Sequence, residues 1–220
     1  TISGNTATTA GGGVFFRSMS HEGEILRSTI AGNSGDGIDD DSPAGSPVLV
    51  ADLISNSGGD CVQPSTAPKL ADDGYNIVTD ASCGLSSSTS HGSTSLSSDL
   101  GTLRDNGGPT QTIAIARSGS DPAFQSIPAG ATLPGGATIC SGTDQRGVAR
   151  SGSCDVGAFN SEPAPGIAAT LSSSHAKTKY GWYRSNVTVS FSCTNMAPGI
   201  VSEWMVMWRW VRSLSTSFCT

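Results

Sequence analysis

Three short segments near the start of the chain repeat one another: Ile2-Ser3-Gly4-Asn5, Ile30-Ala31-Gly32-Asn33 and Ile54-Ser55-Asn56. Their asparagines lie 28 and then 23 residues apart. A period in the twenties, with one apolar–small–polar strand word per period, predicts a stacked β-solenoid. A unit of this length cannot bury its apolar face alone, so each must lie on its neighbours and share a core with them. Asparagines at the same place in successive units are expected to stack as an amide ladder, each side chain bonded to the next.

The intervening residues agree. Gly11-Gly12-Gly13 leads into Val14-Phe15-Phe16, and Glu24-Ile25-Leu26 leads into Ser28-Thr29-Ile30. Val48 to Ile54 is the strongest strand signal and ends at Ser57-Gly58-Gly59; Gly74-Tyr75-Asn76-Ile77-Val78 reads as one more strand. With 28 glycines and only 14% charged residues, the chain fits a turn-dense all-β protein better than a disordered one, which would carry more charge. The formal net charge of −6, with no basic patch before residue 146, excludes nucleic acid as the expected partner. The chain opens inside a repeat, without Met or an apolar leader, which predicts that further coils precede Thr1.

Six cysteines show no CxxC and no Cys/His ligand spacing, so zinc and redox chemistry are not indicated. They fall into two bracketed pairs, Cys61/Cys83 and Cys140/Cys154, with Cys193 and Cys219 left over. Closing loops of that size contributes about 3 kcal/mol each, which points to disulfides and an oxidising compartment.

Two further words are more specific: Leu103-Arg104-Asp105-Asn106-Gly107-Gly108-Pro109-Thr110-Gln111-Thr112, and Asp144-Gln145-Arg146-Gly147-Val148-Ala149-Arg150 closing on Cys154-Asp155-Val156-Gly157-Ala158-Phe159. In this order and spacing, over residues 1 to about 160, the chain resembles the bacterial choice-of-anchor Q family. The repeats of that family are similar to those of polymorphic outer-membrane proteins. One departure is the turn Ser118-Gly119-Ser120-Asp121-Pro122-Ala123, one residue longer than the family word. The resemblance implies a right-handed parallel β-helix followed by a variable anchor or accessory module. It implies no single reaction.

The expected organisation is therefore β-helix coils over 1–98, with a mobile Ser/Thr-rich loop at Ser86–Ser98, and a C-terminal end and cap over 99–160. Cys140/Cys154 would staple that cap over the last coil, with Arg146 and Arg150 paired to Asp144 or Asp155. A Pro-rich linker spans 161–168. A partial immunoglobulin-like module follows over 169–202, its Val187, Val189, Phe191 and Cys193 facing one way, and too short for a complete sandwich. Residues 203–220 change composition abruptly and read as a frame artefact. If native, Trp204, Trp208 and Val211 would share a helical face suited to a membrane surface.

Chemistry is concentrated in the loop Asp36-Gly37-Ile38-Asp39-Asp40-Asp41. Its carboxylates Asp36, Asp39, Asp40 and Asp41 repel one another, and a hard cation such as calcium would relieve that cost. The register is not an EF-hand, and the alternative is a solvated turn. Asp60, Asp72 and Asp73 are possible additions. His21, Arg17 and Arg27 are the candidates for proton handling near this loop, whereas His91 sits in the Ser-rich loop with nothing to orient it. The expected function is a secreted or cell-surface β-helix module, extracellular or on a bacterial surface, with an adhesin-like or structural role toward a surface glycan or protein. The alternative is a calcium-dependent hydrolase or lyase acting on polysaccharide, or on a small ester or lactone, through the Asp36–Asp41 loop.

Overall fold

A computed structural model describes residues 1–17, 23–63, 69–117, 119–133, 135–161, 166–175, 178–183 and 185–194. The chain divides into two units, Thr1–Ser161 and Glu162–Thr220. Among the described residues, the regular secondary structure of each is almost wholly strand.

In the first unit the strands come in threes. β1 (Ile2–Ser3), β2 (Val14–Arg17) and β3 (Glu24–Leu26) are followed by β4 (Thr29–Ala31), β5 (Asp36–Asp41) and β6 (Val48–Val50). Then come β7 (Leu53–Ser55), β8 (Gly59–Val62) and β9 (Ala71–Asp72). Each strand pairs in parallel with the one three places on. One sheet is β1-β4-β7, extended by β10 (Ile77–Val78) and β11 (His91–Gly92). A second is β2-β5-β8 and a third β3-β6-β9. Parallel neighbours need a long crossover, and here each crossover consists of the strands of the other two sheets.

The register follows the repeated words. Ile2 lies opposite Ile30, Ile30 opposite Ile54, and Ile54 opposite Val78. Because side chains alternate across a strand, these residues all face one way. They bury together with Ile38 and Cys61 of the second sheet and with Ile25 and Leu49 of the third. The expected asparagine ladder is present. The Asn5 Nδ2 donates to Asn33 Oδ1 at 3.0 Å, and the Asn33 Nδ2 donates to Asn56 Oδ1 at 3.0 Å.

The opposite face of the first sheet is also apolar, and it too is covered. Leu53 and Ile77 pack against Ala123, Ile127, Ile139 and Val156. Residues 99–161 thus lie along the flank of this sheet rather than across its last coil. The Gly157 N–H donates to the Ala51 carbonyl at 2.9 Å, the Ala158 N–H to Thr29 Oγ1 at 3.0 Å, and the N-terminal amine of Thr1 to Gln145 Oε1. Leaving Leu53 and Ile77 bare would expose a contiguous apolar strip, which is what this placement avoids.

Within that cover, a short helix α1 (Leu96–Asp99) precedes an antiparallel hairpin, β12 (Leu100–Arg104) and β13 (Thr112–Ile115). The Asp105–Gln111 word forms its loop, with the Asn106 Nδ2 donating to the Thr112 carbonyl at 2.8 Å. The second word folds onto the first: the Gln145 Nε2 donates to Thr110 Oγ1 at 2.8 Å, and the Arg146 Nη1 to the Asn106 carbonyl at 3.3 Å. Disulfides Cys61–Cys83 and Cys140–Cys154 form as bracketed, closing 22 and 14 residues and contributing about 3 kcal/mol each.

The Ser86–Ser98 segment, expected to be a mobile loop, instead carries β11 and most of α1. Asp72 anchors it: Oδ2 accepts the N–H groups of Ser86 and Ser87, both at 2.8 Å, and Oδ1 accepts the Ser90 hydroxyl at 2.7 Å.

In the second unit, β14 (Gly166–Ser173) and β15 (Val187–Thr194) form an antiparallel pair in unbroken register from Gly166↔Thr194 to Ser173↔Val187. The strand therefore begins inside the stretch read as linker. Val187 and Val189 are less exposed than Thr188 and Ser190, as the alternation predicted. Residues 203–220, including Trp204, Trp208, Val211 and Cys219, lie outside the described residues.

Candidate functional site

The acidic run is a strand, not a loop. β5 is paired on both sides, by β2 and by β8, and this pairing spreads its carboxylates over two faces. Asp40 faces inward with Ile38, 1% exposed, and its Oδ1 accepts the Ser42 N–H at 3.0 Å. Asp39 and Asp41 face outward. Among the described residues, no three His, Cys, Asp or Glu side chains come together as a metal-binding group.

On the outer face, Phe15, Asp39 and Val62 stand side by side in register, with Arg17 beside Asp41. Phe15, Asp39, Asp41 and Val62 border an open groove of about 310 Å³ that Thr9, Ala10, Asp40 and Gln63 also line. Burial raises the Asp39 carboxyl above its ordinary range, the charges of Asp36 and Asp41 push it further, and the Gly11 N–H partly offsets them. Arg17 lies opposite Asp41 on the neighbouring strand. Arg27 lies elsewhere: its Nη1 donates to the carbonyls of Ile139 at 3.1 Å and Ser141 at 2.7 Å, fastening the flanking segment. His21 lies outside the described residues.

Asp60 and Asp72 are occupied elsewhere. Asp60 Oδ1 accepts the Asn56 N–H at 3.0 Å, and Oδ2 accepts the Thr79 hydroxyl at 2.8 Å and the Asp80 N–H at 3.1 Å. Burial would raise the Asp72 carboxyl, but bonds from Ser90, Ser87, Asn76 and Ser86 outweigh it and hold it below its usual range.

A second polar ladder, not anticipated from the sequence, runs along the other end of the first sheet. The Ser28 N–H donates to Asp52 Oδ1 at 2.6 Å, the Asp52 N–H to Asn76 Oδ1 at 2.9 Å, and the Asn76 N–H to Ser90 Oγ at 2.9 Å. The residue before each of the first three rungs turns the corner in left-handed backbone: Arg27 at φ 49°, Ala51 at 58° and Tyr75 at 58°. The available signal was the 24-residue spacing of Ser28-Thr29-Ile30, Asp52-Leu53-Ile54 and Asn76-Ile77-Val78.

Asp52 is fully buried, and burial pushes its carboxyl well above the ordinary value of 3.8, against the pull of the Ser28 and Val50 N–H groups. The folded state thus holds this proton more tightly than the unfolded chain. Its contribution is present at low pH and is lost as pH rises from about 4 toward the raised folded value. Urea midpoints measured between pH 4 and 8 are expected to fall less steeply in Asp52→Asn than in the wild type. Parallel pH profiles would refute this.

The Asp144–Phe159 words form a clamp. Asp144 pairs with Arg146 at 2.8 Å and accepts the N–H groups of Val148 at 3.0 Å and Asn160 at 2.9 Å. Arg146 also sits 3.8 Å over the Phe159 ring. The Arg150 guanidinium donates to the main-chain carbonyls of Asp155 and Gly157, with the charges of Asp144 and Asp155 acting on it from nearby. Burial, with Arg27 nearby, lowers its pKa to about 10. These two arginines hold the turn that places Gly157 against the sheet.

No protein-family model, curated protein or solved structure matches the chain. The two disulfides are compatible with an extracellular protein. Among the described residues, no helix is long and apolar enough to cross a membrane.

Proposed function

We propose that the chain is a secreted or cell-surface module with an adhesin-like or structural role, built on a right-handed parallel β-helix of the choice-of-anchor Q kind. The three-strand period, the shared core and the contact between the two family words support this architecture. Parallel crossovers are almost always right-handed, which supplies the hand. The observation that carries the functional reading is the use made of the repeats' polar residues. Asn33, Asn56, Asp52, Asp60, Asp72 and Asn76 are spent on hydrogen bonds between strands, which yields a rigid stack whose second sheet, with Phe15 and Val62 exposed, leaves its outer face free for contact.

The test is to apply the full chain to glycan and matrix-protein arrays, and to assay it in parallel on polysaccharide, ester and lactone panels in calcium and in chelator. Retention on a surface, or a purely mechanical role, without turnover is the expected outcome. Calcium-dependent turnover abolished by Asp39→Ala would overturn the reading in favour of an enzyme.

A further inference from the structure

The outward row of the five-stranded sheet runs Thr29, Leu53, Ile77, His91, each opposite the next. The flanking segment covers the first three, and Ile77 is fully buried. His91 is left exposed. Where the cover ends, a groove of about 270 Å³ opens, floored by Ile77 and Val156 and walled by Tyr75 and Pro128, with Thr89, Ser126 and His91 on its rim.

This lining is selective. None of these residues is a carboxylate, lysine or arginine, so nothing fixed in the groove compensates a full charge on a ligand. The volume lies just below the roughly 300–1,000 Å³ typical of small-molecule sites, enough for one ring rather than a chain. The lining combines apolar surface from Ile77, Pro128, Val156 and the Tyr75 ring with the Ser126 hydroxyl and the His91 imidazole, which both donate and accept hydrogen bonds. A sugar ring has the matching surface, with an apolar C–H face and a rim of hydroxyls that also donate and accept.

The walls are held in place before any ligand arrives. The Tyr75 N–H donates to Thr89 Oγ1 at 3.1 Å, and Thr89 Oγ1 lies 3.0 Å from Ser87 Oγ. The His91 N–H donates to the Asn76 carbonyl at 3.0 Å, fixing that strand against β10. We propose that this groove binds a single neutral sugar residue of a surface glycan. The proposal rests on the adhesin-like reading above and names its ligand. Tyr75 and Pro128 carry the ring face, Ser126 and His91 take hydroxyls, and Thr89 positions Tyr75.

The experiment is saturation-transfer NMR on the full chain with methyl glycosides of glucose, galactose, mannose and N-acetylglucosamine, with glucuronate and glucosamine as charged comparators. At least one neutral glycoside is expected to bind, roughly tenfold more weakly in Tyr75→Ala and in His91→Ala. Both variants should keep the fold, because Ala51 occupies the corner equivalent to Tyr75 at φ 58° and His91 is exposed. Absence of binding by every neutral glycoside, preference for a charged one, or equal binding in well-folded variants would overturn the assignment. Array retention that is unchanged by Tyr75→Ala would sink this groove and leave the adhesin-like reading standing. Glycoside binding by a wild-type chain that no array retains would do the reverse.

Discussion

Alanine at position 33 is expected to remove about 3–5 kcal/mol of stability, because Asn33 is the middle rung of the asparagine ladder. Its Oδ1 accepts from Asn5 N at 3.1 Å and from Asn5 Nδ2 at 3.0 Å. Its Nδ2 donates to the Ile2 carbonyl at 3.2 Å and to Asn56 Oδ1 at 3.0 Å. The side chain is 1% exposed, so water cannot replace what alanine deletes. Asn33→Asp should be comparably damaging at neutral pH, since it turns an acceptor toward two acceptors. Acid should relieve it by restoring a donor. Urea unfolding checks both, with Ser57→Ala as a control, because the Ser57 hydroxyl makes a single 3.3 Å bond to the Asn33 carbonyl. A loss at position 33 no greater than that control would remove the ladder from the account.

Gly157→Ala is expected to cost about 3–4 kcal/mol and to loosen the flanking segment. The backbone there is left-handed, at φ +90°, and an added Cβ would meet Thr29 Oγ1 at 2.7 Å and Leu53 Cδ1 at 2.8 Å. Those atoms belong to the sheet face that the segment covers, so either the turn lifts or the sheet deforms. At about 2–4 °C per kcal/mol for a unit of this size, the melting temperature should drop by roughly 10 °C. Gly152→Ala isolates the backbone contribution, because Gly152 also has a positive φ of +66° but nothing within 4 Å of a new Cβ. Equal losses at the two glycines would mean that Gly157 does not set the contact with Thr29 and Leu53.

These two sites mark what the sequence could and could not reveal. The ladder was legible because parallel pairing brings the repeated words together: Ile2, Ile30 and Ile54 pair at offsets of 28 and 24 residues, and the asparagines just beyond them, 28 and 23 apart, bond from rung to rung. The disulfides were legible for a similar reason, each closing a short bracket. The acidic strand was misread because four carboxylates in six residues look solvated locally. Only pairing with Phe15 and Arg17 on one side and Val62 on the other draws them into a sheet.

The Asp52 ladder was missed because its rungs differ, Ser, Asp and Asn, although their spacing repeats. Asp72 looked like a spare acid, yet it organises the Ser-rich segment 14–18 residues further on. The flank contact was out of reach: Ala158 meets Thr29 across 129 residues, with no repeat to announce it. His91 is placed by the pairing of β11 with β10, which no local word announces.

The most direct test of the whole account is NOE spectroscopy on the isoleucine, leucine and valine methyl groups and the backbone Hα protons. A continuous network is expected, joining Ile2, Ile30, Ile54 and Val78 in one file and linking that file inward to Ile38 and Leu49. Short Hα–Hα contacts between strands of residues 1–98, which only antiparallel neighbours produce, would contradict it.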